Sequence, residues 1–264
     1  MTSVTQLRGD LVDEQDSLEV VVGDLSDDQW YLPTASPGWN VFDQVAHLAY
    51  FDERAALALN DPEGFRRGRD EMFSRAGHES LDVITLKEFR SLSPSELLLR
   101  WRDARSSLDD AARTLGESSR VDWYGPTMSA KSFLTARLME TWAHGVDVVE
   151  ALGVSREPTE RLIHIVRLGV VTRPWSYRVR GEEPPHGSVR VELSGPRGDV
   201  WRQGPDDADE TVQGPAEEFC LVVTQRRHLD DTTLVTGILG RHWLLRAQAF
   251  AGAPSAGPAP KGRP

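Results

Sequence analysis

The chain has 264 residues, room for one large domain or two small ones, and its 39% hydrophobic and 27% charged residues describe a globule with ample core. Forty-one acids against thirty bases give a net charge of −11, which argues against a nucleic-acid binder, whose footprint is a basic patch; the acidity serves solubility. No apolar run nears the ~20 residues that span a bilayer, and residues 1–10 lack a basic start followed by an apolar core, so neither a membrane nor a secretory route is expected and the cytoplasm is the expected location.

Leu7, Leu11, Leu18, Val21, Val22 and Leu25 recur at three- and four-residue spacing and predict a first amphipathic helix ending before residues 26–28. A Pro/Gly-containing loop at 31–38 follows, then a second helix over about 41–60 that carries His47. Residues 61–92 are richly charged and contain Gly64, Gly68 and Gly77, which predicts irregular or short-helical chain, a rim or lid. Pro94 opens a third helix; Ser93 is its N-cap and Glu96 completes a capping box. The fourth is expected from near Met128 to Leu152, with Gly153 as its C-cap. Four such helices make a bundle of the kind that builds sites from facing side chains.

A fifth helix, about 159–172, leads into a different pattern. Short segments at 175–180, 189–193, 200–203 and 210–212, separated by Gly, Pro and Asp, predict a small sheet. Pro215 opens a further helix to Arg227, and a last one is expected over about 241–251. The fold class is therefore α+β: an N-terminal four-helix bundle over 1–155 and a small α+β domain over 156–252. Residues 253–264, rich in Pro, Gly and Ala, are expected to form a disordered tail.

The chemistry concentrates in two helices. Glu140 and His144 are four apart, so a helix puts them on one face. His47 offers a third donor. Two histidines and one glutamate around an open position form a catalytic rather than a structural metal set. The apolar Leu138, Met139, Trp142, Val146, Val148 and Val149 bury this helix, and a buried carboxylate and imidazole need partners, of which a shared divalent cation is the simplest. Asp43, one turn before His47, is placed either to hold the free ring nitrogen of that histidine or to favour the helix dipole. Asp147 is either an orienting group, a fourth ligand or an ordinary ion-pair residue. Arg137 is suited to an acid or to a substrate carboxylate. The single cysteine, Cys220, lies among Phe219 and 221–223 and reads as a buried, inert thiol, so any thiol chemistry needs an external thiol. His164, His186, His228 and His242 share no ligand spacing, and His78 stands beside Glu79 in the expected rim without support.

Pro37-Gly-Trp39, the run Asp-Gln-Val-Ala-His-Leu ending at Leu48, and Arg137-Leu-Met-Glu-Thr-Trp-Ala-His-Gly-Val-Asp147 resemble the DinB-like, mycothiol-dependent maleylpyruvate isomerase N-terminal family. The likeness covers about 5–155. A looser likeness through 217–228 to 248–252 is to the C-terminal domain of an actinobacterial metal-binding subgroup. The resemblance implies a four-helix bundle holding a divalent metal, zinc as a rule, on His47, Glu140 and His144. It also implies mycothiol as the thiol that adds to an activated double bond for isomerisation or S-transfer on a small molecule. Arg226, with Arg227, ends the helix from Pro215, where a base suits the dipole; a second domain closing over the metal would instead give it an anionic substrate. Two other classes stay open: a thiol-independent metal hydrolase or lyase, and a metal-binding protein without turnover.

Overall fold

The structure, a computed structural model, describes residues 2–76 and 81–261. His78 and Glu79, part of the expected rim, lie outside the described residues. The chain divides into two compact units, Met1–Ser155 and Arg156–Pro264.

The first unit is built on four long helices. α1 (Val4–Val22) begins where the Ser3 hydroxyl accepts the Gln6 amide. The short α2 (Asp27–Trp30) leads into a loop closed by a β-bridge between Pro33 and Asn40. Asn40 then caps α3 (Val41–Asn60), accepting the Asp43 amide. Residues expected to be irregular form α4 (Pro62–Ala76) and α5 (Leu81–Leu86), followed by a 3-10 turn at Phe89–Ser91. The charge density that suggested a loop is the solvated face of α4; Phe65 and Met72, seven apart, are buried on its other side. α6 (Pro94–Ala112) starts on the expected Ser93/Glu96 capping box.

A two-residue ribbon, β1 (Arg120–Val121) against β2 (Met128–Ser129), takes up the residues expected to begin the fourth helix. α7 (Ala130–Leu152) therefore starts after Ser129 and ends at Gly153, whose φ of 66° is left-handed backbone that glycine adopts at little cost. α3 packs on α6 and α7, and α1 on α7 and α6. Leu18, Val22, Val45, Leu48, Ala49, Leu97, Trp101 and Val148 fill the space between them.

The second unit opens with α8 (Leu162–Val171) and α9 (Arg173–Arg178). The latter replaces the strand expected at 175–180, because Pro174 sits in its first turn with φ already set for a helix. β3 (Val189–Ser194) is the central strand of a three-stranded sheet, antiparallel to β4 (Val200–Gln203) and parallel to β5 (Glu210–Pro215). α10 (Ala216–Val223) follows directly. It comes so close to α8 that a Cβ on Gly169 would stand 2.9 Å from Phe219 and 3.0 Å from Val223. α11 (Ile238–Leu244) is shorter and earlier than the helix expected at 241–251. Beyond it the backbone bonds elsewhere: the Gln248 amide donates to Ser176 Oγ and the Ala249 amide to the Val223 carbonyl. Residues 253–261 form no helix or strand; Ser255 O accepts from Gln225, and the Lys261 amide donates to Asp231.

Candidate metal centre

α3 and α7 face each other across the bundle core, and their facing sides bring His47, Glu140 and His144 together. One ligand atom from each lies within 4.8 Å of the others, the only such group of three or more among the described residues. The carboxylate Oε2 of Glu140 stands 3.1 Å from His144 Nε2 and 3.7 Å from His47 Nε2. Donors bound tetrahedrally at about 2.0–2.2 Å lie about 3.3–3.5 Å apart. The observed spacings bracket that value.

A hydrogen-bond chain decides which nitrogen of His144 faces the carboxylate. The Thr34 hydroxyl donates to the Trp39 carbonyl, which leaves its oxygen to accept the Gln44 amide at 2.8 Å. The amide oxygen of Gln44 then points at His144 Nδ1, 2.5 Å away, so Nδ1 carries the proton. Nε2 consequently presents a lone pair to an anionic oxygen. Two electron-rich atoms at 3.1 Å need a cation between them, a proton or a metal ion.

The protonation of the other two points the same way. Burial, then the neighbouring His144, pushes the His47 imidazole down to about 4, so at neutral pH it is an uncharged donor. Burial alone would raise the Glu140 carboxyl, but its imidazole neighbours, His144 and then His47, hold it well below the usual carboxylate range. A neutral imidazole, a lone-pair-presenting imidazole and a carboxylate suit a divalent cation of the zinc type.

Aromatic rings wall the cluster. Trp39 lies nearly parallel to His144 at 5.9 Å between centroids and 5.2 Å from His47, while Phe51 packs 4.6 Å from His47. One turn from Glu140 along α7, Arg137 is buried and donates through Nε and Nη2 to Oδ1 of the fully buried Asp52. The other oxygen of Asp52 accepts from Gln15 Nε2 at 3.0 Å and Trp101 Nε1 at 3.3 Å.

Asp43 does not orient His47. It occupies the first turn of α3, where its carboxylate accepts from the Asn40 amide and, at 2.8 Å, from Arg90. Asp147 is buried and accepts from the Ser36 hydroxyl at 3.3 Å; it is not among the converging atoms. Arg137 is committed to Asp52. Arg226 follows the left-handed Gln225 (φ 59°), and its Nη1 donates to the Thr224 carbonyl at the end of α10. Cys220 is buried with its Sγ 3.7 Å from the Leu162 carbonyl, and burial pushes the thiol well above its ordinary range. His164 is buried and His186 exposed; His228 accepts the Asp230 amide, and His242 pairs with the Tyr177 hydroxyl at 3.0 Å. Sequence reasoning missed Gln44, Thr34 and Asp52. Gln44 sits three before His47, a helical spacing that marks the same face and was a usable signal.

Fold and site define a class: a four-helix bundle with a His/His/Glu cluster in its core, followed by a small α+β unit. The profile described as mycothiol maleylpyruvate isomerase N-terminal domain matches residues 11–149, and one described as wyosine base formation matches 185–236. Proteins from two strains of Mycobacterium tuberculosis, both named as uncharacterized, are 43% identical over 253 residues, covering 94% of this chain and 96% of theirs. Two crystal structures of the mycothiol-dependent maleylpyruvate isomerase share the fold, one of them of a histidine-to-alanine mutant. They align with TM-scores of 0.60 and 0.59 at 16% identity, over 90% of this chain and 96% of theirs. The chain belongs to the mycothiol maleylpyruvate isomerase N-terminal domain family.

Proposed function

We propose that the protein is a cytoplasmic metalloenzyme that binds one divalent ion, zinc by its donor set, through His47, Glu140 and His144. It uses a mycothiol-type thiol to isomerise a small molecule or transfer a group to it. The observation that carries this reading is the outward lone pair of His144, fixed by Gln44 and aimed at the Glu140 carboxylate 3.1 Å away. When bound, the ion supplies Lewis acidity and lowers the pKa of a thiol or water at its open position. His47 contributes an uncharged nitrogen. Glu140 contributes the negative charge, and Trp39 and Phe51 keep the histidines from bulk water.

The external thiol is supported by the family description and by the burial of Cys220. That side chain has neither the exposure nor the lowered pKa of a reactive cysteine.

Elemental analysis of His47→Ala, Glu140→Gln and His144→Ala tests the metal, with loss expected in each; full retention in all three rejects the site. Calorimetry of metal-loaded protein with mycothiol, in buffers of different ionisation enthalpy, tests the thiol. Binding with proton release is expected, unchanged in Cys220→Ser. Turnover that needs no thiol assigns the hydrolase or lyase reading instead, and metal binding with no turnover assigns a non-catalytic one.

A further inference from the structure

Residues 253–261 form no helix or strand, yet side chains of the second unit hold their main chain at several points. Gln248, fully buried, uses both ends of its amide: Nε2 donates to the Ala253 carbonyl at 3.1 Å, and Oε1 accepts the Ser255 amide at 3.3 Å. It therefore grips the backbone on both sides of Pro254. Gln225 Nε2 donates to the Ser255 carbonyl at 3.1 Å, and Arg180 donates to the same oxygen. Asp231 accepts the Lys261 amide at 2.8 Å. Between these points, residues 256–258 cover a small cavity floored by Val222, Leu229, Leu244 and Ala247.

Gln225 stands where a side chain is costly to place. It closes α10 as the left-handed residue of a Schellman turn: its own amide donates to the Val222 carbonyl, and the Arg226 amide to that of Leu221. Glycine is the usual residue there. What glutamine adds is its amide, which ties the Ala247 carbonyl at 2.9 Å to the Ser255 carbonyl.

Three features make the bound segment exchangeable. All of these contacts fall on main-chain atoms, so the surface reads an extended backbone with small side chains and not one particular side chain. Pro254, Pro258 and Pro260 fix φ and lower the entropy lost on docking. Every residue of 253–261 except Gly257 stays exposed, so little buried area holds the segment and hydrogen bonds of modest net worth do. Gly257 sits at φ 69°, where a Cβ would meet Gln225 at 3.4 Å, so the surface also demands a glycine at that point.

We propose that this surface is a binding groove for an extended, proline- and glycine-containing segment of a partner protein, occupied here by the chain's own residues 253–261. A partner segment of the same chemistry displaces them. The resident segment acts as a competitor at roughly millimolar effective concentration, so the groove opens to a partner that binds more tightly or is held nearby. The inference makes no use of the metal centre.

The test uses the full chain and a fluorescein-labelled synthetic peptide of residues 252–261 as the probe. In Ser255→Pro/Gly257→Val the proline has no N–H for Gln248 and the valine resists left-handed backbone, so the resident segment should leave. The Lys261 amide, protected from hydrogen exchange in wild type, should then exchange freely. By fluorescence anisotropy the probe should bind this variant at least about tenfold more tightly than wild type, whose groove is filled. Adding Gln248→Leu should weaken that binding about ten- to a hundredfold, and adding Gln225→Gly about three- to tenfold. The Gln225→Gly change relaxes the backbone, so it removes the amide without endangering the fold. Identical Lys261 exchange in wild type and Ser255→Pro/Gly257→Val overturns the proposal. So does absent binding at millimolar probe, equal binding to both proteins, or binding unchanged by Gln225→Gly.

Discussion

Gln44 decides how His144 presents itself, and its replacement isolates that role. Gln44→Leu removes the acceptor at Nδ1 while keeping the volume, so the tautomer and ring angle are no longer set. Metal affinity should fall about ten- to a hundredfold, the usual effect of losing an orienting partner, with the helical content unchanged by circular dichroism. An unaltered affinity in a competition titration would mean that the ring is held by packing against Trp39 alone. The metal-free protein should also be acid-sensitive in a defined window. The His47 pKa falls from an ordinary 6.5 to about 4, so between these values the unfolded chain binds more protons and stability drops as pH falls. Glu140, held below its usual range, acts in the same direction at lower pH. The His47 contribution is roughly 3 kcal/mol in full, read as the difference in urea stability between pH 7 and pH 4.5 that His47→Gln abolishes. At this scale the sequence was partly legible. Glu140 and His144 declare themselves by helical spacing, and His47 by the framing motif. Gln44 reaches across to the other helix, Thr34 comes from a loop, and Asp43 turns away toward Arg90; such choices depend on tertiary neighbours that no local pattern encodes.

Among the helices, Asp52 is the common point. It belongs to α3 and accepts from Gln15 of α1, Trp101 of α6 and Arg137 of α7, so one carboxylate touches all four long helices. Burial pushes its carboxyl up, and Arg137 with the two further donors pulls it back. Asp52→Ala strands a buried guanidinium and should cost about 3–5 kcal/mol, measured by urea unfolding. Because Arg137 is one turn from Glu140 and Asp52 five residues from His47, the same change should weaken metal binding in protein that still folds. Stability within 1 kcal/mol of wild type would show that the hub is dispensable. The long helices were legible because each carries its own period and cap. α4 was obscured by its charge and two glycines, and α9 by aromatic residues that read as strand until Pro174 is placed in its first turn.

At the level of the chain, the structure divides between Ser155 and Arg156, and the second unit runs through two further helices before its first strand at Val189. We propose that the two units are separate folding cores. Limited proteolysis should cut around 153–158, or in the stretch after 252, before it cuts α7; early cleavage between 130 and 152 would contradict the bundle as a stable core.

The ligands come from α3 and α7, and about ninety residues of chain separate His47 from Glu140. On the proposed reading the ion is a removable cross-link that ties α3 to α7 in the folded chain only, across the stretch that holds α4, α5 and α6. Free metal at a hundred times its dissociation constant adds about 2.7 kcal/mol to the folded state. The melting temperature should therefore climb with metal concentration and fall on chelation. In a cell starved of the ion, the same coupling makes the abundance of the protein, and not only its turnover, follow metal supply.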